Sequence, residues 1–410
     1  MSLPLTWLSV LSVLACSAQE PAELLKEPTV RAALEAAKRN EPKTIEQQIQ
    51  ICEIAAPPFH ESQRAEELKR LFTTLGLKNV HIDQVGNVIG TRAGRHPRPN
   101  LVFSAHLDTV FPEGTDVKVT RQGNLLKGPG IGDDCRGLAV VLRTIQSLNE
   151  AQVETPGTIT FVATVGEEGL GDLRGVKNLF GEHSAGEIDK FVSVDGNGLD
   201  IVNIGVGSMR YRVAFRGPGG HSFGSFGIAN PIHAMGRAIA KISELEVPSD
   251  PKTTFNVGRV GGGTSINSIA SEAWMEVDLR SADIRSLKTL DEEFLGAVQT
   301  AVDDENRRWN NRGKVSATPE LVGLRPAGRT PAESAIVQTA LAVSRELGIE
   351  QVLREGSTDA NVAMSSNIPA ITVGGGGAGS GVHTLRETFN SNESWRGTER
   401  AVLLAIALAQ

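Results

Sequence analysis

The sequence predicts an α/β protein with a mostly parallel central sheet and a smaller α+β unit inserted into it. Three observations carry that prediction. From about residue 45 to 205, short apolar runs bounded by turn residues alternate with segments of helical spacing. From 207 to 322 the rhythm changes to period-two strands, each followed by a long helical segment. After 323 the first style returns. The expected division is a removable leader at 1–18, a discontinuous α/β domain at 19–206 and 323–410, and an inserted domain at 207–322.

In chain order, "NVIGT", "NLVFSAH", "GTITFVATV" and "KFVSVD" read as buried strands, because apolar residues run almost unbroken through them. Between them "GLAVVLRTIQSLNEA" and "LRGVKNLFGEH" carry helical spacing, which favours parallel strands covered by helices. In the insertion, "SMRYRVAFRG" and "EAWMEVDLRS" alternate as half-exposed strands do. They precede the helical segments "ANPIHAMGRAIAKISEL" and "SLKTLDEEFLGAVQTAVDDENRRW". The last part supplies "AESAIVQTALAVSRELG" as a helix, "PAITVGGGG" as a strand running into a glycine loop, and "NESWRGTERAVLLAIALA" as a final helix.

The net charge of -7 argues against a nucleic-acid or anionic-membrane partner, and a single tyrosine, Tyr211, leaves little for base stacking. "LPLTWLSVLSVLACSAQE" has the apolar core and small-residue site of a signal peptide, too short for a transmembrane segment. Cleavage after Ala18 gives a secreted or periplasmic protein, and "VLAC" also resembles a lipid-anchoring box ending at Cys16. No Lys or Arg precedes the apolar core, so a buried N-terminal helix and a misassigned start are the competing readings. Beyond that segment only Cys52 and Cys135 remain, so no disulfide framework holds the fold and any metal is held by His and carboxylates.

The chemistry collects at strand ends. His106 and Asp108 close one strand, Glu167 and Glu168 follow another, and Asp195 ends a third. His383 lies beyond the glycine loop and reaches the same rim. Ligands of open parallel sheets bind outside these carboxyl ends. Singly, each residue reads as solvated charge or a cap; together they form a candidate site. The turn "GPGIGDDCRG" admits three readings, a phosphate cradle, a helix cap or a metal site. Adjacent carboxylates Asp133 and Asp134 would repel a phosphate at the helix start.

"SAHLDTV", "GPGIGDDCRG", "VGEEGLGDLRG", "SVDG", "GPGGHSFG" and "GVHTLRE", in that order, resemble the motifs of the di-zinc amidohydrolase family of glutamate carboxypeptidase, peptidase T, aminoacylase and acetylornithine deacetylase. The resemblance spans nearly all of the chain after residue 45. It implies a zinc-peptidase-like catalytic domain with an inserted lid that forms a homodimer. It further implies two Zn2+ per subunit, with Co2+ or Mn2+ as substitutes. His106 and Asp195 would bind one ion, Glu168 and His383 the other, and Asp133 would bridge both, through a cis peptide to Asp134. Asp108 would orient His106, Glu167 would be the general base, and His221 would complete a partner's site. Asn267, Arg280, Gly375 and Gly376 match substrate-contacting positions. Cys135 departs from many relatives and is expected to face helix packing rather than metal. His60, His81, His96, His183 and His233 lie outside the motifs. The implied activity is exopeptidase action on small peptides, with N-acyl-amino-acid hydrolysis, or a silent binding protein of the same fold, as rivals.

Overall fold

The computed structural model describes residues 19–181 and 187–410; the leader, including Cys16 and Ala18, and His183 lie outside the described residues. Among the described residues, nine strands form the central sheet. Its order is Lys78–Ile82, Val88–Arg92, Thr158–Thr164, Asn100–His106, Lys190–Val194, Ala370–Val373, Ile201–Gly205 and Gly328–Arg329, with Leu353–Gly356 also against Ile201–Gly205. The four central strands, Thr158–Thr164 to Ala370–Val373, are mutually parallel. They are the unbroken apolar runs, and both faces are covered, as parallel strands require.

One face packs against Pro28–Arg39, Cys135–Glu150, Ala335–Glu346 and Trp395–Leu408, the other against Arg174–Leu179 and Ala360–Ser365. Cys135–Glu150 is buried nearly all round because it is sandwiched between the sheet and other helices. Each fully buried Leu, Ile or Val there contributes roughly 1.5–3 kcal/mol relative to exposure. The helices before residue 75 lie outside the sequence-predicted elements, yet Leu24, Val30, Ala33 and Phe72 belong to the main core.

The insertion forms a second, antiparallel sheet in the order Thr253–Gly262, Glu272–Ser281, Gly207–Arg216 and Ser316–Arg325. Helices Pro231–Ser243 and Ile284–Arg308 cover one face around Phe215, Met275, Leu279 and Phe294, a core of its own. Its two central strands are those with clear alternation. The two edge strands are hard to read because glycines interrupt one and Pro319 the other, a proline being tolerated where the ladder has an open side. The last strand runs to Arg325, three residues past the expected boundary at 322.

A third sheet matters for the site. Leu125–Lys127 pairs with Thr388–Asn390, which pairs with Ala378–Ser380. This lays the turn beginning at Gly128 against the loop from Gly381 to Glu387, 250 residues away in sequence at Asp133 and His383. Among the described residues no helix is long and apolar enough to cross a membrane.

Candidate metal centre

His106 ends its strand, Asp195 directly follows Lys190–Val194, and Glu167 and Glu168 follow Thr158–Thr164 after a short turn. All face the same rim. The carboxylate of Asp133 stands between two imidazoles: its Oδ1 is 3.0 Å from His106 Nε2, its Oδ2 3.2 Å from His383 Nε2. His106 Nε2 is also 4.0 Å from Asp195 Oδ1, and His383 Nε2 2.9 Å from Glu168 Oε1. Three groups among the described residues bring candidate ligand atoms within 4.8 Å of one another: His106–Asp133–Asp195, Asp133–Glu168–His383 and His106–Glu167–Glu168. The first two share Asp133.

The supporting contacts explain why these groups converge. Asp134 begins the helix Cys135–Glu150, and its Oδ1 accepts from the amide of Gly137 at 3.0 Å. That oxygen also accepts from Gly196 N at 3.0 Å, while Oδ2 accepts from His106 N at 3.1 Å. Asp134 therefore ties the helix start to two strand ends, and the peptide joining it to Asp133 is cis. Asp108 does more than orient a ring. Its carboxylate accepts from the amides of Glu167 (3.0 Å) and Glu168 (2.8 Å). The His106 Nδ1 lies 3.0 Å from the Asp108 carbonyl oxygen and 3.6 Å from its carboxylate. With Nδ1 so occupied, Nε2 is the nitrogen presented to the site.

The electrostatics of the centre suit a cation. Burial, with Asp133 close by, pushes Asp195 up to about 7. Hydrogen bonds to Asp133 and Glu168 push His383 up to about 10. Burial would lower His106, but Asp108 and Asp133 prevail and raise it. Protons thus stand in for positive charge among crowded carboxylates, and a His/carboxylate donor set of this kind fits a divalent metal. Glu167 is different: burial raises it, and Arg325 opposes the rise, with Arg325 Nη1 donating to Oε1 at 3.0 Å. Arg325 Nη2 also donates to the Glu167 carbonyl.

Asp133, Glu167, Glu168, Asp195 and His383 line a cleft of about 420 Å³ together with Arg210, Arg280 and Arg325. His221 and Asn267 lie elsewhere. They sit together at an exposed two-stranded antiparallel ribbon of the insertion, Gly220–His221 against Ser268–Ile269, where Ser222 N donates to the Asn267 carbonyl at 2.9 Å. Neither residue lines the cleft of its own chain. The His221 Nδ1 accepts from the amides of Phe223 (3.2 Å) and Gly224 (3.3 Å), which leaves Nε2 outward. Gly375 lies under Arg136, and Gly376, at φ 87°, packs against the start of the last helix at Gly397; neither is among the residues that line the cleft of this chain. Their small size serves backbone packing. Cys135 is fully buried with Cys52, Ile131 and Phe389, on the helix-packing side.

Sequence reasoning missed four polar residues of the site. Arg325 closes a strand that reads as a linker, and Arg210 looks like one of several exposed strand cations. Asp359, buried after "GST", accepts from Thr164 Oγ1, and burial pushes it up to about 6. Glu387 accepts from the amides of Gly130 (2.9 Å), Gly132 (2.8 Å) and Asp133 (3.0 Å), clamping the Asp133 turn to the His383 loop. Its position four residues after His383, in "HTLRE", was the available signal.

The family model described as Peptidase family M20/M25/M40 matches residues 102–407. The Bacillus subtilis protein YqjE, itself described as uncharacterized, is 27% identical over 381 residues, covering 89% of this chain and 98% of that protein. Carboxypeptidase G2 from Pseudomonas sp. is 27% identical over 318 residues, 74% of this chain and 73% of that one. The crystal structure of a tripeptidase from Staphylococcus aureus superposes with a TM-score of 0.75 at 25% identity, over 90% of this chain and 98% of that chain. A match of this length, on a fold shared with a solved tripeptidase, makes the chain a member of the M20/M25/M40 peptidase family, whose enzymes are metal-dependent hydrolases of amide bonds.

Proposed function

We propose that this protein is a di-zinc exopeptidase of small peptides, exported from the cytoplasm and paired with a second copy through its inserted unit, 207–322. The observation that carries the reading is the pair of ligand groups sharing Asp133, next to a buried carboxylate, Glu167, that is held by an arginine. His106, Asp133 and Asp195 would hold one ion, and Asp133, Glu168 and His383 the other. When bound, such a pair acidifies a water towards a pKa of about 7 and polarises the scissile carbonyl.

The remaining work falls to this chain's own groups. Glu167 accepts a proton from the attacking water and passes it to the departing amine. Asp108 fixes the backbone of Glu167 and Glu168, so that the two carboxylates keep separate tasks. Arg280 faces the cleft and receives the substrate's terminal carboxylate. His221 and Asn267, outward on their two-stranded ribbon, reach the neighbouring subunit's cleft, where His221 donates to the oxygen that gains charge. Deacylation of N-acyl amino acids is the second reading, since it breaks the same bond; a silent binding protein would not need Glu167.

The test is a panel of dipeptides, tripeptides and N-acyl amino acids, assayed with zinc and after chelation. Zinc-dependent release of amino acids from peptides supports the proposal. Turnover of N-acyl amino acids alone selects the deacylase, and no turnover of any amide overturns both.

A further inference from the structure

Among the described residues, five arginines are buried: Arg64, Arg136, Arg143, Arg325 and Arg400. Four of them have acceptors at their terminal nitrogens. Arg64 donates to the carbonyls of Cys52, Ile54 and Leu107, and Arg400 to those of Leu199 and Gly374. Arg136 meets Glu41 and the Ser394 carbonyl, and Arg325 meets Glu167. Arg143 differs. Only its Nε is engaged, donating to Thr44 Oγ1 at 2.9 Å. Among the described residues neither Nη has a hydrogen-bond partner and no carboxylate stands within ion-pair distance, yet the residue is only 5% exposed. A sheltered charge of this kind is costly unless something pairs with it.

Arg143 lines a groove of about 480 Å³ where the helices Glu41–Cys52 and Cys135–Glu150 pack together. Lys43, Gln47 and Gln50 line it from the first helix, at spacings that put them on one face, and Gln146 lines it from the second. The Oε1 of Gln47 is buried without a partner. The two acids of the groove are already engaged: Glu46 accepts from Arg121 at 2.6 Å, and Glu150 accepts from Arg39 and, at 3.2 Å, from Asn40. Arg143 and Lys43 are therefore left with two unmatched positive charges. Burial pulls the Arg143 guanidinium below its ordinary pKa, and Glu41 and Glu150 oppose that fall only from a distance. No residue of this groove lines the cleft at the metal centre.

We infer that this groove is a second ligand site, which binds the carboxylate of a small hydroxy acid. With Nε held by Thr44, the edge formed by Nη1 and Nη2 offers parallel N–H bonds to the two oxygens of a planar carboxylate. Lys43 adds charge at the rim. The carboxamides of Gln47, Gln50 and Gln146 each carry a donor and an acceptor, which is what a hydroxyl group requires. Glu46 and Glu150 border the same groove and disfavour a multiply charged anion such as phosphate. A guanidinium fixed by its Nε loses little freedom on binding, which favours discrimination. The inference is independent of the hydrolase reading.

The test is calorimetric titration with gluconate and its neutral isostere gluconamide, on the zinc-loaded protein and again after chelation. Gluconate should bind at least about 10-fold more tightly than gluconamide, the size expected of a charge-assisted contact, and equally in both preparations. In Arg143→Gln the preference should collapse below about 3-fold, while Arg143→Lys should retain part of it. Far-ultraviolet dichroism and melting establish that these variants are folded. The double variant Gln50→Ala, Gln146→Ala changes only the groove's surface and keeps the test decisive if Arg143 proves essential for folding; its affinity for gluconate should fall at least about 3-fold. No preference in the wild type, a preference that survives in folded Arg143→Gln, or wild-type affinity in the double variant overturns the inference. Loss of gluconate binding on chelation would place the ligand at the metal centre and overturn it too. Inorganic phosphate binding more tightly than gluconate to the chelated protein would overturn the assignment to a carboxylate.

Discussion

Asp108 shows what one residue contributes beyond its sequence signature. The spacing of His106 and Asp108 suggests a carboxylate steadying a ring. The carboxylate also holds two amides 59 and 60 residues away, a partnership that no local pattern records. Asp108→Ala leaves both buried N–H groups unpaired, which costs roughly 1–3 kcal/mol each. The expected outcome is a lower Tm by calorimetry together with a kcat reduced more than KM is raised, because the displaced backbone carries both Glu167 and Glu168. An unchanged kcat in Asp108→Ala would remove this residue from the account. Arg325 makes the same point from the other side: in sequence "GLRPAG" reads as a linker, and only the fold sets it against Glu167.

At the scale of elements, the legible parts were those whose burial imposes a period. The parallel strands and the helix Cys135–Glu150 announced themselves by apolar runs, and the ligand candidates by their place at strand ends. The edge strands of the insertion did not, since they are largely exposed and broken by glycines or Pro319, and the strands of the small third sheet are only three residues long. That third sheet brings Glu387 under the Asp133 turn. Glu387→Gln keeps one acceptor oxygen for three amides and removes the charge, so Asp133 is less well held. Metal affinity, measured by competition with a chromogenic chelator, should fall about 10–100-fold, as for other groups that support a ligand from behind. Affinity equal to the wild type would mean that the clamp serves folding alone.

The whole molecule has two large hydrophobic cores and a centre where acids crowd together. Without metal, Asp195 and Glu387 sit at about 7 and Asp359 at about 6, all above their solution values. His383 is raised to about 10. A raised pKa in the folded state gives stability that is present at low pH and lost as pH climbs through that value. The groups held low, Asp108 and Asp133, act only below about pH 4. Chelated protein should therefore melt several degrees lower at pH 8 than at pH 5, and zinc should restore more stability at pH 8, where fewer protons compete. A flat profile would mean that the centre is not short of positive charge. Assembly is a further claim at this scale. Glu167→Ala and His221→Ala chains, each nearly inactive, should regain activity when mixed as a dimer, because one cleft then has both groups. A mixed dimer that forms and stays inactive would confine His221 to another role. The central claim, a shared Asp133 between two ions with Glu167 as a base and not a ligand, is tested most directly by the metal content of two variants purified beside the wild type. Glu167→Ala should keep two ions per chain while kcat falls by about 10²–10⁴-fold, and Asp133→Ala should lose metal and activity together. Equal metal loss in both, or full occupancy in Asp133→Ala, would contradict it.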